Sequence, residues 1–259
     1  MKKYGVDIKW LAVTSFEMKF GDITVVSDPF ITDCEGTELD YKAVEKCDII
    51  TLSHAHYDHI MDIPALVEKF NPKVLCGQMT AMPLAKWLNY NATKIYPMNY
   101  GLELDFGDVK VKALFGRHKT QPLGYNDMTA KIEKNPHCID EGVKELQGIG
   151  SLEYVNYLFT AKNGTKVLIW GNDPTIEQIN LCKELKPDIA ILQRGKSLEQ
   201  CAQLAELIKA MGCKVVIPHH HDTHQVDPPE VLLGFKDAIA KATPEVEFIT
   251  PKHGEWISF

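Results

Sequence analysis

The segment SHAHYDHI, residues 53–60, places three histidines and one aspartate within six positions, directly after the apolar run IITL. An apolar run that ends in a polar cluster is typical of a buried strand followed by a loop. Residues two apart on an extended segment project to the same side, so His54 and His56 can reach one ion. Asp58 and His59 follow at the turn and can reach a second. Zinc binds imidazole and carboxylate together, and manganese and iron accept the same ligand types. The segment predicts a metal site and disfavours the alternative, solvated loop histidines.

The composition is that of an ordinary globular protein with a sizeable core. Of 259 residues, 45% are hydrophobic and 24% are charged, which is usual for folded domains. The net charge is −7, whereas nucleic acids and anionic membranes attract basic surfaces. We therefore expect a small-molecule substrate and neither a nucleic acid nor a membrane as partner. The sequence leaves homo-oligomerisation open.

The first residues and the cysteines indicate a cytoplasmic protein. The N-terminal MKKYGVDIKWLAV has no apolar core of signal-peptide length, and no run approaches the roughly 18 apolar residues of a membrane helix. The seven cysteines are scattered and form no CxxC pair. Free thiols in a reducing cytosol are the simplest interpretation, and a secreted protein with one unpaired cysteine is the alternative.

The predicted elements change in order along the chain. The first third consists of strands, with a hairpin at residues 21–22, and the Asn-Gly pair at 163–164 marks a second hairpin. The last third alternates helices and strands, with Thr175 and Ser197 as N-caps. No Gly/Ser-rich linker divides the two parts. We predict a single α/β domain over residues 1–259, with sheets inside and helices outside.

Residues 119–153 form a long polar segment without a sustained hydrophobic period. Loops of this length inside a compact domain are uncommon and tend to be functional. We predict a loop or lid insertion that covers the site and sets specificity.

The pattern H-x-H-x-D-H in His54–His59 resembles the signature of the metallo-β-lactamase-fold hydrolases. The resemblance extends along nearly the whole chain. The family pattern also has a D-P segment before the signature, a single His after a later strand, a Gly/Asp segment after a hairpin, and a His two residues after a proline. These are matched here by Asp28-Pro29, by His118, by the segment 170–173 and by Pro218-His219-His220.

The resemblance implies a four-layer αββα sandwich that holds two divalent metal ions, zinc or manganese. The first ion would be bound by three histidines and the second by one aspartate and two histidines, with one further aspartate as a bridge: His54, His56 and His118; Asp58, His59 and His220; and Asp173. Asp58 would also orient a hydroxide held between the ions. Asp28 would either hold a ligand histidine by its second ring nitrogen or serve the turn beside Pro29.

Two departures from the family pattern leave assignments open. Asn172 stands between the glycine and the aspartate of the usual Gly-Asp segment, so the register of Asp173 is uncertain. The final motif is a triple histidine, so His219 or His221 could replace His220 as the ligand. His253 is a candidate for the mouth of the site, against the ordinary reading of a loop histidine.

The WLAVTSFEMKFGDITVVSDPF opening and the PHHHD ending resemble the subgroup that contains L-ascorbate-6-phosphate lactonase. The resemblance implies a metal-dependent hydrolase that uses a metal-bound hydroxide on a small-molecule ester, lactone or phosphodiester. The cations Arg117 and Lys119 beside His118 favour an anionic substrate. An iron-dependent oxidoreductase is the first alternative, although the diiron members resemble H-x-E-x-D and this chain has His56. A non-enzymatic metal-binding protein is the second, although such members usually lose ligands.

Overall fold

The computed structural model describes residues 4–118, 140–171, 174–195, 197–222 and 229–259. Within them the chain forms two seven-stranded mixed sheets. In each sheet the first four neighbouring strands pair antiparallel. The three remaining strands continue the sheet with parallel pairing. The two sheets are therefore built in the same way.

The first sheet has the order β14-β1-β2-β3-β4-β5-β6. Its strands are β1 (Val6–Ala12), β2 (Ser15–Phe20), β3 (Ile23–Ser27), β4 (Ile49–Thr51), β5 (Lys73–Gly77), β6 (Ile95–Met98) and β14 (Trp256–Ser258). The second sheet has the order β13-β12-β11-β10-β9-β8-β7. Its strands are β7 (Glu103–Asp105), β8 (Val109–Phe115), β9 (Val155–Ala161), β10 (Lys166–Trp170), β11 (Ile189–Gln193), β12 (Val215–His219) and β13 (Glu247–Phe248).

The helices of the described residues follow the strands of both sheets. They are α1 (Tyr57–Ile60), α2 (Ile63–Phe70), α3 (Gln78–Trp87), α4 (Glu141–Gly150), α5 (Ile176–Leu185), α6 (Leu198–Met211) and α7 (Pro229–Ala242). Short 3-10 turns lie at Tyr41–Ala43 and Ala92–Lys94. No helix among the described residues is both long and apolar enough to cross a membrane.

Three buried apolar clusters show that the layers are stacked in the order helix, sheet, sheet, helix. The central cluster joins the facing sides of the two sheets, for example Phe16 and Phe20 with Phe159. A second cluster packs the other face of the first sheet against α2 and α3. A third packs the other face of the second sheet against α5, α6 and α7. The predicted four-layer αββα sandwich is confirmed.

Local signals in the sequence led to correct turns and caps. Gly21 (φ 59°) and Gly164 (φ 91°) adopt the left-handed conformation in their hairpins, as tight turns require. The Thr175 side chain accepts a hydrogen bond from the Gln178 amide and forms a capping box. The Ser197 side chain caps α6 by accepting a hydrogen bond from the Gln200 amide. The described cysteines are buried and form no disulfide with one another.

The structure corrects the interpretation of residues 119–153 as one loop. Residues 140–153 include the helix α4, which begins at Asp140, whose side chain accepts a hydrogen bond from the Val143 amide. Val143 and Leu146 are fully buried. Three glycines in ten residues lower the helix propensity and obscured the apolar period. Residues 119–139 lie outside the described part of the chain.

Candidate metal centre

The candidate site lies at one edge of the two sheets, where strands from both halves of the chain reach their carboxyl ends. His54 and His56 follow β4, His118 follows β8, and His220 follows β12. A hydrogen bond from the Val155 amide to the Ser53 carbonyl (2.8 Å) joins the two sheets at this edge. Ligand sites in sheets with parallel strands are common at this position.

The first group consists of His54, His56 and His118, whose candidate ligand atoms lie within 4.8 Å of one another. His54 Nε2 and His56 Nδ1 are 3.1 Å apart. Two nitrogens bound tetrahedrally to one zinc ion at about 2.0–2.1 Å would be separated by about 3.3 Å. This spacing fits a shared divalent ion.

The second group consists of Asp58, His59 and His220, again with ligand atoms within 4.8 Å of one another. The single turn of α1 places Asp58 and His59 on adjacent positions after His56. Asp58 Oδ2 lies 3.8 Å from His59 Nε2 and 3.6 Å from His220 Nε2. The two groups are neighbours, because the rings of His54 and His59 have centroids 4.0 Å apart.

The electrostatics of the histidines suit metal binding. Burial, followed by the neighbouring imidazoles, holds the pKa of His54 well below its usual value. Burial also dominates at His220 and lowers its pKa in spite of the nearby Asp58 carboxylate. At His59 burial opposes the cation, but Asp58 and Asp28 outweigh it and raise the pKa. Neutral imidazole is the form that binds metal ions, so the lowered pKa values of His54 and His220 favour binding, whereas His59 would release its proton when it binds an ion. With that proton released, these donors fit divalent cations.

Asp28 holds two of these histidines in place. Its Oδ2 accepts a hydrogen bond from His59 Nδ1 (3.0 Å) and another from the Ser53 hydroxyl (2.6 Å), while Oδ1 accepts from the Ser53 amide (2.6 Å). The Ser53 hydroxyl also lies 3.0 Å from His54 Nδ1. A carboxylate behind a ligand histidine fixes its tautomer and ring orientation. Of the two roles considered for Asp28, the structure shows the contact with a candidate ligand.

Sequence reasoning did not identify Ser151, which follows the end of α4. Its hydroxyl lies 3.0 Å from His56 Nε2, the ring nitrogen that faces away from His54. Gly150 permits this approach, because a Cβ atom there would lie 2.6 Å from the ring carbon Cδ2 of His56. The only signal in the sequence was the small-residue pair itself, within a segment predicted to be a loop.

Tyr154 is a second residue that the sequence did not single out. Its ring stacks on His54 with centroids 4.8 Å apart. Its hydroxyl lies so close to Gly171 that a Cβ atom at that position would be 1.7 Å away. Gly171 is therefore required by packing against Tyr154. Its neighbours Asn172 and Asp173 lie outside the described residues, so the bridging role of Asp173 stays a prediction.

The triple histidine separates into three environments. His220, with φ 62°, belongs to the second group. His219 is fully buried and donates from Nε2 to the Trp170 carbonyl (3.1 Å), and burial lowers its pKa to about 3. His221 lies against the Trp10 ring, with centroids 4.7 Å apart. Of the three, the described geometry places His220 with the other candidate ligands of the second group, and its role as a ligand stays a prediction.

The structure describes one of the two cationic residues that were predicted to favour an anionic substrate. Arg117 is half-buried at the end of β8 beside His118, and Lys119 lies outside the described residues. His253 contacts Trp10 and a buried aspartate, Asp222.

Comparisons with known proteins agree with this geometry. Residues 25–134 match the family described as "Beta-lactamase superfamily domain". The chain is similar to a UPF0173 metal-dependent hydrolase of Bacillus cereus (strain B4264), with 30% identity over 87% of this chain and 91% of the relative. It is similar in structure to Igni18, a metallo hydrolase from Ignicoccus hospitalis KIN4/I, with TM-score 0.71, 18% identity and 98% of each chain covered.

A further similar structure is CmlA, a diiron β-hydroxylase from Streptomyces venezuelae. Its TM-score is 0.66 at 11% identity, over 98% of this chain and 54% of that chain. Identities this low indicate a shared fold alone, and one fold can host several chemistries.

Proposed function

Because the chain belongs to the UPF0173 metal-dependent hydrolases of the β-lactamase superfamily, we propose that it hydrolyses a small-molecule ester, lactone or phosphodiester. The proposal includes two divalent ions, zinc or manganese, one for each group of side chains at the sheet edge. The observation that carries it is the pair of adjacent three-residue groups, which together contain five imidazoles and one carboxylate.

Each residue has a distinct part in this proposal. His54, His56 and His118 would hold one ion, and Asp58, His59 and His220 the other. Bound ions of this kind lower the pKa of a water molecule and polarise the substrate oxygen. Asp58 is partly accessible, with 15% of its side chain exposed, so its carboxylate can accept a hydrogen bond from the attacking water and orient it. Asp173 is proposed as the bridge.

Two features of the chain bear on the substrate class. Arg117 next to His118 supports an anionic group on the substrate, and the resemblance to the L-ascorbate-6-phosphate lactonase subgroup favours a lactone. The fold does not choose among lactone, ester and phosphodiester. A diiron oxidoreductase is disfavoured because His56 stands where the diiron pattern has a glutamate, whereas the ligands alone leave a mono-iron dioxygenase as an alternative.

The first test is the metal content of protein purified without a His tag and without added metal, measured by mass spectrometry. We expect about two zinc or manganese ions per chain, as a two-metal hydrolytic site requires. A single iron per chain would favour oxygen chemistry, and no uptake of metal on titration would refute the site.

The second test uses substitutions of candidate ligands with a panel of lactones, esters and phosphodiesters. We expect His54→Ala and Asp58→Ala to abolish hydrolysis while the circular dichroism spectrum stays that of the native fold. His219→Gln is the matched control, because it changes a buried histidine outside both groups and its amide can still donate to the Trp170 carbonyl. Wild-type rates in the ligand variants would refute the assignment.

A further inference from the structure

Asp222 is a buried carboxylate two residues after His220, and it belongs to neither group of candidate ligands. It is 1% exposed. Both of its carboxylate oxygens lie 3.1 Å from the main-chain amide of Val13, which donates to them. A buried carboxylate that binds a main-chain amide so far away in the sequence fixes the two loops relative to each other.

Val13 is held in an unfavourable conformation at the turn between β1 and β2. Its φ is 44°, in the left-handed region that a β-branched residue rarely adopts. Its carbonyl accepts a hydrogen bond from the His220 amide (3.0 Å) and one from Trp10 Nε1 (3.2 Å). Val13 is thus bound by Asp222 at its amide and by His220 at its carbonyl.

The His220 backbone turns at the point where its amide donates to the Val13 carbonyl. His220 follows the last residue of β12 and has φ 62°, so the chain turns sharply there. The turn brings Nε2 to 3.6 Å from Asp58 Oδ2. Without the bond to the Val13 carbonyl, extended backbone would be the lower-energy conformation at this position.

Asp222 is itself held from two further sides. His253 Nε2 donates to Oδ2 at 2.8 Å, and the His253 ring stacks on Trp10 with centroids 3.9 Å apart. Gly36 lies against the Asp222 main chain, where a Cβ atom at residue 36 would be 2.2 Å from the Asp222 carbonyl oxygen. The position of the carboxylate is therefore fixed by residues of the chain itself.

We propose that Asp222 is a positioning residue for the second metal ion: it holds Val13 in the left-handed conformation, and the Val13 carbonyl then holds His220 beside Asp58 and His59. Asp222 does not contact the ion. This inference rests on the proposed two-metal site. The contacts from Asp222 to Val13 and from Val13 to His220 act on the second group and leave the first group unaffected.

The test compares affinities for the two ions in wild-type protein and in Asp222→Asn, by titrating metal-free protein with Co²⁺ against a chromophoric chelator. We expect Asp222→Asn to bind the second ion about tenfold more weakly, the lower end of the usual effect of removing a group that orients a ligand, and the first ion with unchanged affinity. The visible Co²⁺ spectrum of the second site should change as well.

A rescue variant separates this role from a general loss of stability. Glycine adopts positive φ without penalty, so Val13→Gly in the Asp222→Asn background should recover part of the affinity for the second ion. Glu17→Gln is the matched control, because Glu17 is an equally buried carboxylate that accepts two main-chain amides, those of Glu45 and Lys46. It should lower stability and leave both affinities unchanged.

Unchanged affinity for the second ion in Asp222→Asn, or an equal loss of both ions, would overturn the positioning role. If Asp222→Asn does not fold, His253→Ala removes one partner of the carboxylate at a partly exposed position. A selective weakening of the second ion in His253→Ala would support the role, and no change would overturn it. Wild-type protein that binds fewer than two ions would refute the proposed two-metal site itself.

Discussion

At the scale of single residues, the candidate site depends on small residues that lie beside the candidate ligand histidines. Ser151 illustrates this, because its hydroxyl is the partner of His56 Nε2 at 3.0 Å. We predict that Ser151→Ala weakens binding of the first ion about tenfold, since loss of a group that orients a ligand histidine commonly costs this much. Metal titration of the stripped protein measures it.

The control for Ser151→Ala is Thr165→Val. Thr165 lies in the β9–β10 hairpin, and the substitution removes its buried hydroxyl, which donates to the Tyr4 carbonyl (2.8 Å). This variant should lose stability and keep both metal affinities. Equal effects of the two variants on the first ion would contradict a role for Ser151 at His56.

Gly171 is a second small residue on which the packing beside the site depends. A Cβ atom there would lie 1.7 Å from the Tyr154 hydroxyl, so we predict that Gly171→Ala lowers the free energy of unfolding by about 1–3 kcal/mol, as overpacking does. Adding Tyr154→Phe should recover part of the loss, because it removes the oxygen in the clash. Urea denaturation measures both.

Gly234→Ala in α7 provides the comparison, because a Cβ atom at residue 234 would meet nothing within 4 Å. Alanine is the better helix former, so this variant should be as stable as wild type or slightly more stable. A Gly171→Ala protein of wild-type stability would show that Tyr154 moves aside at no cost.

At the scale of elements, Glu45 joins three strands of the first sheet. Its carboxylate accepts hydrogen bonds from Lys9 Nζ of β1 (2.9 Å), Lys19 Nζ of β2 (3.3 Å) and Trp256 Nε1 of β14 (2.7 Å). The bond from Trp256, followed by that from Lys9, lowers the pKa of Glu45 to about 2. The ionised carboxylate is therefore the form that ties these strands together.

The direction of this shift sets the pH dependence of stability. A carboxylate whose pKa is lowered in the folded state stabilises the fold at pH values above its unfolded pKa, here 4.5, and loses that contribution as the pH falls to about 2. We predict that Glu45→Gln is less stable than wild type at pH 7 and that the difference shrinks below pH 4.5. The effect is modest because 55% of the side chain is exposed.

Chemical denaturation of both proteins at several pH values measures this difference. Asp105→Asn is the control, since Asp105 pairs with Lys110 on the second sheet with 59% of its side chain exposed, and such an exposed pair contributes little. A stability difference for Glu45→Gln that stays constant from pH 7 to pH 3 would contradict the assigned pKa.

At the scale of the whole molecule, the candidate ligands come from both sheets, so bound ions would join the two halves of the chain. Ligands that bind only the folded state stabilise it, by about 2.7 kcal/mol when the free ion is 100-fold above its Kd. We predict that removal of metal with a chelator lowers Tm and that added zinc or manganese restores it. His54→Ala should show a smaller shift, and an unchanged Tm in wild type would contradict this coupling.

Much of this architecture follows from local features of the sequence. Several features depend on neighbouring residues only, so they can be predicted without knowledge of the fold. They are the hairpin glycines Gly21 and Gly164, the caps at Thr175 and Ser197, and the apolar runs that end in histidines. The helix α4 could not be read, because its glycines have low helix propensity and its stability comes from burying Val143 and Leu146 against the rest of the protein.

The sequence by itself determined which residue types are available for the site and which strands they follow. Only the tertiary structure decided which of His219, His220 and His221 meets Asp58, and which groups stand behind the histidines. Asp28, Ser151, Tyr154 and Asp222 act through contacts with residues distant in sequence, such as the 3.0 Å approach of Ser151 to His56, 95 positions away. Such contacts form only when strands and helices distant in sequence pack together, and no local pattern encodes them.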